Sequence, residues 1–257
     1  MKSKKKIGII IQSRSNSKRF KLKFKKKILN KSLIIFLLDR IKKDFKNTKI
    51  IVAIPTGDKI IYDHLKKVKN IHIFSGSKDN VLQRYYKCAI NFKLDVIIRL
   101  TGDNPMIDTH LIKKNLSKHL KYKKLFTSNC YMNTFPNGLE FEILDFKLLK
   151  YISKLAKLNS DKEHVTPLIY KLIENKKIDK KKTLLLMDKG NYKNIRLTVD
   201  KKNDLIVVNK VIKYLNKLKL IISFKNITKI FKKNKNLFKS NINEIRDEGY
   251  FISKLND

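Results

Sequence analysis

The sequence predicts an α/β fold, with a mostly parallel central sheet flanked by helices, and three observations carry that expectation. Short, almost continuously apolar, β-branched runs recur between Ile7 and Leu100 and end in polar residues, as strands buried on both faces do. Longer stretches of helical period separate them, the order that βαβ crossovers produce. The chain has 257 residues, 42% of them hydrophobic, with only 7 Gly and 4 Pro. It is long enough to bury a substantial core and is neither a disordered basic tail nor a collagen-like repeat.

Residues 7–11, 50–54, 71–74 and 96–100 read as the buried strands, and residues 33–43, 58–67 and 79–92 as the intervening helices. The last of these puts Val81, Leu82, Tyr85, Ala89 and Phe92 on one face, with Ser77 as N-cap and Asn80 at the third helical position. A helix is expected over 108–120. The rhythm then changes: strands at 125–128 and 139–143 flank a turn-rich segment, 129–138, and helices follow at 145–157 and 161–172. Strands at 183–187 and 195–199 lead into a helix from Lys201, where Leu205, Val208, Val211 and Leu215 recur at helical spacing. The expected organisation is one domain over 1–220, with 125–145 inserted as a strand and turn segment, and a basic, weakly helical C-terminal extension over 221–257.

The formal net charge is +39, from 61 Lys+Arg against 22 Asp+Glu. Such a surface attracts polyanions. Its composition argues against a base reader, however, because only seven of the 61 are arginines (Arg14, Arg19, Arg40, Arg84, Arg99, Arg196 and Arg246) and base readers lean on the guanidinium fork. A chain rich in Lys, Ile and Asn and poor in Arg, Gly and Pro fits drift under an AT-rich coding bias, with most lysines solvated. No specific nucleic-acid partner is therefore expected. Cys88 and Cys130 stand alone, outside any C-x-x-C pair, which indicates neither a disulfide framework nor a thiolate metal site. The longest apolar block, 33–38, stops at Asp39, well short of a membrane span. A cytoplasmic protein without a membrane partner is expected.

In an open parallel sheet, ligands bind beyond the carboxyl ends of the strands. The first strand runs into a loop carrying Gln12, Ser13, Arg14, Ser15, Ser17, Arg19 and Lys23; the third into Ser77; the fourth into Thr101, Gly102 and Asp103; and a late strand into Asp200. These polar clusters fall on one edge. Arg14, Arg19 and Lys23 suit a polyphosphate, with hydroxyls and loop N–H groups as neutral donors, whereas Lys18, Lys21 and Lys25 to Lys27 read as solvated. The loop is neither a P-loop nor a G-x-G-x-x-G turn. Asp103 and Asp200, each directly after a buried strand, are candidate Mg²⁺ ligands; taken singly they read better as a turn residue and a helix N-cap with Asn203 at its third position, and it is their joint placement on the phosphate edge that makes the metal reading an equal one. His64, His72, His110 and His119 read as surface or helix residues, and His164 as a capping and packing residue. No zinc or Ser-His-Asp spacing occurs.

These residues resemble the spore-coat polysaccharide biosynthesis branch of the sugar cytidylyltransferases, relatives of the acylneuraminate and 3-deoxy-octulosonate cytidylyltransferases. The resemblance is carried by Gln12-Ser-Arg14, Ser17-x-Arg19-Phe-x-x-Lys23 and Gly76-Ser-Lys-Asp-Asn-Val-Leu-Gln-Arg-Tyr85. It continues through Arg99-Leu-Thr-Gly-Asp103-Asn-Pro105, Pro136-Asn-Gly-Leu-Glu-Phe-Glu142, Glu163-His-Val-Thr-Pro167 and Arg196-Leu-Thr-Val-Asp200, in the family's order from about residue 6 to about residue 215.

The resemblance implies a Rossmann-like nucleotidyltransferase fold and an enzyme that transfers CMP from CTP to a sugar, here a 2-keto sugar acid, with release of pyrophosphate for surface polysaccharide synthesis. Arg14, Arg19 and Lys23 would hold the triphosphate, assisted by Gln12, Ser13, Ser17, Ser77, Thr101 and Gly102. Asp103 and Asp200 would share Mg²⁺. Asn137, Gly138, Glu140, Glu142, Glu163, His164 and Arg196 would shape the sugar side, and a homodimer contact is implied near 129–143. The family usually has Arg-Leu-Pro-Gly-Lys where this chain has Arg19-Phe-Lys-Leu-Lys23, so a proline and a glycine are both absent. The alternatives are a basic nucleic-acid-binding protein, which lacks any recognised nucleic-acid-binding motif here, and a family member without catalysis.

Overall fold

The computed structural model describes residues 5–17, 19–255 and 257; Lys18 lies outside the described residues. The chain opens with β1 (Ile7–Gln12), the two short strands β2 (Lys27–Ile28) and β3 (Lys31–Ser32), and α1 (Leu33–Asp44). β4 (Lys49–Pro55), α2 (Lys59–Leu65), β5 (His72–Gly76), α3 (Val81–Asn91), β6 (Val96–Thr101) and α4 (Thr109–Lys121) follow in the expected alternation. Next come β7 (Phe126–Ser128), β8 (Glu142–Asp145), α5 (Phe146–Leu155), α6 (Asn159–His164), α7 (Pro167–Glu174) and β9 (Thr183–Leu185). The chain ends with α8 (Lys202–Lys217), α9 (Phe224–Lys233) and α10 (Glu248–Leu255).

Seven strands form one sheet in the order β5-β4-β1-β6-β8-β7-β9. β8 runs antiparallel to both of its neighbours, and the pairings give the other six strands a common direction. The mostly parallel sheet expected from the sequence is therefore present. Its period of two sorts the isoleucines of β1. Ile9 and Ile11 pack with Leu37, Leu38 and Ile41 of α1 and Ile112 of α4, while Ile10 faces Tyr85 and Cys88 of α3, Leu149 of α5 and Ile169 of α7. A third cluster joins Val207, Val208 and Val211 of α8 to Ile195, Leu197 and Val199 and to Ile227 and Ile230 of α9. Tyr85 fastens α3 to the sheet, its hydroxyl donating to the carbonyls of Leu100 (2.9 Å) and Ile10 (3.3 Å).

Four local expectations change. The strand expected over 139–143 begins only at Glu142, because the Asn129 amide takes the place of the ladder: its Nδ2 donates to the Leu139 carbonyl (3.0 Å) and its Oδ1 accepts the Phe141 N–H (2.9 Å). The helix expected over 161–172 is broken into α6 and α7 at Val165, which has φ 74°; Pro167 opens α7, where its missing N–H costs no hydrogen bond. Residues 195–199 are extended but form only an isolated bridge, Asn137 with Arg196. Finally, Asn80 rather than Ser77 caps α3, its Oδ1 accepting the Gln83 N–H (2.8 Å), while Ser77 Oγ accepts the Asn80 N–H (3.0 Å).

Of the two readings the sequence left for His119, surface or helix residue, the helix one holds: it lies in α4 and is 1% exposed. One ring nitrogen pairs with Thr127 Oγ1 at 2.9 Å, while Nε2 is buried without a partner. Burial, reinforced by the Lys5 charge, holds its pKa down at about 4 against an ordinary 6.5. As the pH falls below 6.5 the unfolded chain takes up this proton first, so stability is lost between pH 6.5 and about 4. The difference in unfolding free energy between wild type and His119→Gln should therefore shift against the wild type by about 3 kcal/mol between pH 7 and pH 4. Urea unfolding across that range measures it, and a pH-independent difference would contradict the assignment.

Candidate active site

The carboxyl ends of β1 and β6 open onto a cavity of about 560 Å³. Of the residues singled out from the sequence, Gln12, Ser13, Arg14, Arg19, Lys23, Thr101, Gly102 and Asp103 line it from the side of the first loop and β6. Asn137, Glu140, Glu142, Glu163, His164, Arg196 and Asp200 line it from the other side. Ser17, Ser77 and Gly138 do not. Ser17 is buried, and Ser77 is engaged at the start of α3. Gly138, at φ 97°, brings its backbone so close to Leu197 and Thr198 that a Cβ would stand 2.3 Å from their main-chain atoms.

At the centre, the Lys23 ammonium lies 2.6 Å from Asp103 Oδ2 and 2.8 Å from Asp200 Oδ1. Burial works against the charged amine, but the two carboxylates outweigh it and its pKa stands above the ordinary lysine value. Burial likewise opposes the Asp103 carboxylate; Lys23 overrides it and takes the pKa down to about 2. Arg19 adds a second cation, 3.3 Å from Asp200 Oδ1. The positions of the carboxylates are set by backbone: Val199 N–H donates to the Asp103 carbonyl (2.9 Å), and both Asp200 N–H and Lys201 N–H donate to Asp204 Oδ2 (2.9 Å each). Asp204 thus closes the first turn of α8, and the Asp200 carboxylate is free to face the cavity.

The resemblance implies Mg²⁺ at Asp103 and Asp200, and the donor set fits it. Mg²⁺ is commonly held by one or two protein carboxylates, with phosphate oxygens and waters completing its octahedron. Two carboxylates here converge on one cation, the Lys23 ammonium, and all three side chains line the cavity. Among the described residues there is no cluster of three or more His, Cys, Asp or Glu side chains that could enclose a metal, so the remaining coordination positions would fall to a bound phosphate and water.

Two carboxylates organise the far side. Glu142 on β8 pairs with the Arg99 guanidinium and accepts from the Tyr170 hydroxyl (3.1 Å), while Arg99 also donates to Gln12 Oε1 and the His164 carbonyl, both at 3.2 Å. Glu140 accepts from Arg246 (2.9 Å), Asn137 Nδ2 (3.1 Å), Asn104 Nδ2 (3.3 Å) and the Gly138 N–H. Burial pushes the Glu140 carboxyl up, and Arg246 only partly offsets it. Arg14 is the least committed cation, half-exposed and 3.7 Å from Glu163.

Sequence reasoning missed Arg84, Asn104, Tyr170, Arg246, Glu248 and Tyr250, all of which line the cavity. A signal was present: six of the seven arginines line it, whereas among the described residues only two lysines do, Lys23 and Lys171. Arg99 and Glu142 also give a stability test, since their side chains are only 13% and 2% exposed. Removing one partner of a buried ion pair strands the other charge, so Glu142→Ala should cost about 3–5 kcal/mol and Arg99→Met/Glu142→Leu much less. Urea unfolding decides this, and a single-variant loss below about 1 kcal/mol would contradict it.

Comparison with known proteins places this geometry in a family. Residues 8–245 match the family model described as cytidylyltransferase. The chain is 36% identical over 195 residues to the uncharacterized protein MJ1063 of Methanocaldococcus jannaschii, covering 74% of this chain and 76% of that one. It is 30% identical over 211 residues to the spore coat polysaccharide biosynthesis protein SpsF of Bacillus subtilis, covering 77% and 82%. Its fold superposes on a cytidylyltransferase of Leptospira borgpetersenii with a TM-score of 0.81 at 26% identity, over 92% of this chain and 98% of that one. With a family match that spans nearly its whole length, the chain belongs to the cytidylyltransferases and is a nucleotidyltransferase.

Proposed function

We propose that this protein transfers CMP from CTP to a hydroxyl of a sugar, a 2-keto sugar acid, with release of pyrophosphate for surface polysaccharide synthesis. The observation that carries the reading is the Lys23 ammonium held between Asp103 and Asp200, with Arg19 beside Asp200, at the carboxyl edge of a parallel sheet. The family match and the likeness to a polysaccharide biosynthesis protein support the nucleotide and the sugar.

In the reaction the acceptor oxygen bonds to the α-phosphorus, the bond from that phosphorus to the β-phosphate oxygen breaks, and the acceptor proton leaves. Negative charge grows on the α-phosphoryl oxygens and on the departing pyrophosphate. Arg14 and Arg19, on the loop after β1, offer guanidinium forks to the β- and γ-phosphates. Lys23 holds a fixed positive charge where Asp103 and Asp200 converge. Those two carboxylates would hold Mg²⁺, which when bound supplies charge neutralisation without a covalent intermediate. Glu140, Glu142, Glu163, His164 and Arg196 shape the acceptor side, with Arg99 and Tyr170 fixing the Glu142 carboxylate. The reading places the enzyme in the cytoplasm and includes a homodimer contact near 129–143, where Met132 is 65% exposed. Among the described residues no helix is long and apolar enough to cross a membrane.

Pyrophosphate release with each of the four nucleoside triphosphates, Mg²⁺, and a panel of 2-keto sugar acids and aldoses tests the reading. CTP with a sugar acid should give product, and no release with any pair would overturn it. Asp103→Ala and Asp200→Ala should each abolish turnover while circular dichroism shows the fold retained; wild-type turnover in either would misplace the metal. A polynucleotide binder would instead bind in a steeply salt-dependent way that survives Asp103→Ala.

The same reading separates site cations from surface cations. Arg19→Met should lower kcat/KM for CTP by about 100-fold, the scale of losing one oriented charge donor. Replacing the exposed Lys176, Lys177, Lys180, Lys181 and Lys182 with Gln should change it less than about two-fold. Equal losses in the two variants would mean that bulk charge, and not the site, attracts the nucleotide.

A further inference from the structure

The C-terminal segment reaches back over the cavity. Arg246, Asp247, Glu248, Gly249 and Tyr250 all line it, although Glu248 is 229 residues from its partner Arg19. Glu248 Oε2 accepts from Arg19 Nη1 at 2.9 Å, and the Lys201 ammonium stands 3.3 Å away. Gly249 lies against the same guanidinium, with the nearest Arg19 nitrogen 3.6 Å from where a Cβ would sit. Further along α10, the Tyr250 ring packs edge-on to His164 at 5.1 Å, and the Ser253 hydroxyl bonds Glu163 and His164. One short helix therefore engages a cation expected to hold phosphate and two residues expected to shape the acceptor side.

This cover is weakly held. α10 has eight residues and none of them is buried, and Phe251 and Leu255 are 56% and 87% exposed. Apart from the Tyr250 ring on His164 its attachment to the site is polar, and segments without buried apolar side chains open at low cost. A carboxylate on Arg19 is chemically a phosphate mimic, because both are planar or tetrahedral oxyanions that take the guanidinium fork. A triphosphate that binds Arg19 must therefore compete with Glu248.

We infer that α10 is a nucleotide-displaced cover, in which the Glu248 carboxylate occupies the phosphate position on Arg19 until a nucleoside triphosphate takes it. Lys201 is the partner that keeps the displaced carboxylate near the site: it stands 2.7 Å from Glu244 and already contacts Glu248. The exchange breaks no covalent bond. It replaces one anion by a more highly charged one and frees α10, and with it Glu163 and His164, for the acceptor. This inference rests on the cytidylyl reading of the site.

The test is CTP binding by calorimetry, with Mg²⁺, to the full-length wild type, Glu248→Gln and Glu244→Gln. Glu248→Gln removes the competitor and keeps the shape, so it should bind CTP about 3- to 10-fold more tightly. Glu244→Gln removes a carboxylate of the same segment that touches Lys201 and not Arg19, so it should tighten CTP binding less than Glu248→Gln does, and an equal or larger gain would count against direct competition at Arg19. A purely structural role for Glu248 predicts weaker binding, not tighter, so unchanged or weaker binding by Glu248→Gln overturns the inference and leaves the cytidylyl reading intact. If no chain binds CTP, both fail together. Hydrogen exchange on the wild type gives a second readout independent of any variant: amides 248–255 should exchange faster once CTP is bound, and equal or slower exchange would count against displacement.

Discussion

Three residues that are remote in sequence, Lys23, Asp103 and Asp200, meet within 2.8 Å, and the arrangement around the site depends on that meeting. Two carboxylates at one sheet edge repel each other unless a cation lies between them, and burial strengthens the repulsion. The fold supplies the cation from the loop after β1 and the carboxylates from the end of β6 and from the extended segment before α8. A single backbone bond, Val199 N–H to the Asp103 carbonyl, sets the last two side by side. That segment needs no full strand for this purpose. Three backbone hydrogen bonds, two with Asn137 and one with Asp103, hold it against the sheet while Ile195, Leu197 and Val199 are sealed by α8.

The arrangement also bears on how a chain of net charge +39 distributes its two kinds of cation. Lysine is the common cation here and is mostly spent on solvated surface, where each ammonium is screened within a Debye length. Arginine is scarce, yet six of seven line one cavity. The seventh, Arg40, does the one other task that demands a planar fork, donating to the Pro105 and Ile107 carbonyls and tying α1 to the loop after β6. Where lysine serves as well as arginine, the chain has lysine; the positions that keep arginine are those where geometry as well as charge matters.

The strands of the parallel half were legible because each is a continuous apolar run, and a run buried on both faces leaves little ambiguity about its place. What could not be read depended on single side chains acting at long range. Asn129 postpones the start of β8 by clamping Leu139 and Phe141, and nothing in a turn-rich segment distinguishes that asparagine from an exposed one. The break between α6 and α7 was marked by Pro167, but the apolar period on either side carried the expected helix across it. Asp103 and Asp200 were found because they directly follow strand-like runs, whereas Arg246 and Glu248 lie in a lysine- and asparagine-rich tail whose weak periodicity hides the return of the chain to the site. The scarcity of arginine was visible from the start, and it pointed at Arg246 and Arg84 as strongly as at Arg19.

The missing proline and glycine of the first loop bear on the same balance of forces. Leu22 stands where the family usually has glycine, and it adopts φ 51°, ψ 37°, the left-handed region, at a cost of about 1 kcal/mol for a residue with a side chain. Phe24, two residues on, is 1% exposed and packs edge-on against His64, a burial worth about 2–3 kcal/mol. Hydrogen bonds from the Lys25 and Lys26 N–H groups to the Leu22 and Lys23 carbonyls close the turn between them. Packing therefore outweighs the strained dihedral, and Lys23 is carried to the carboxylates without the residues that elsewhere pre-set the loop. The conformation of the loop is set by its buried anchor, so that position 22 tolerates a side chain in the left-handed region as long as Phe24 remains in place.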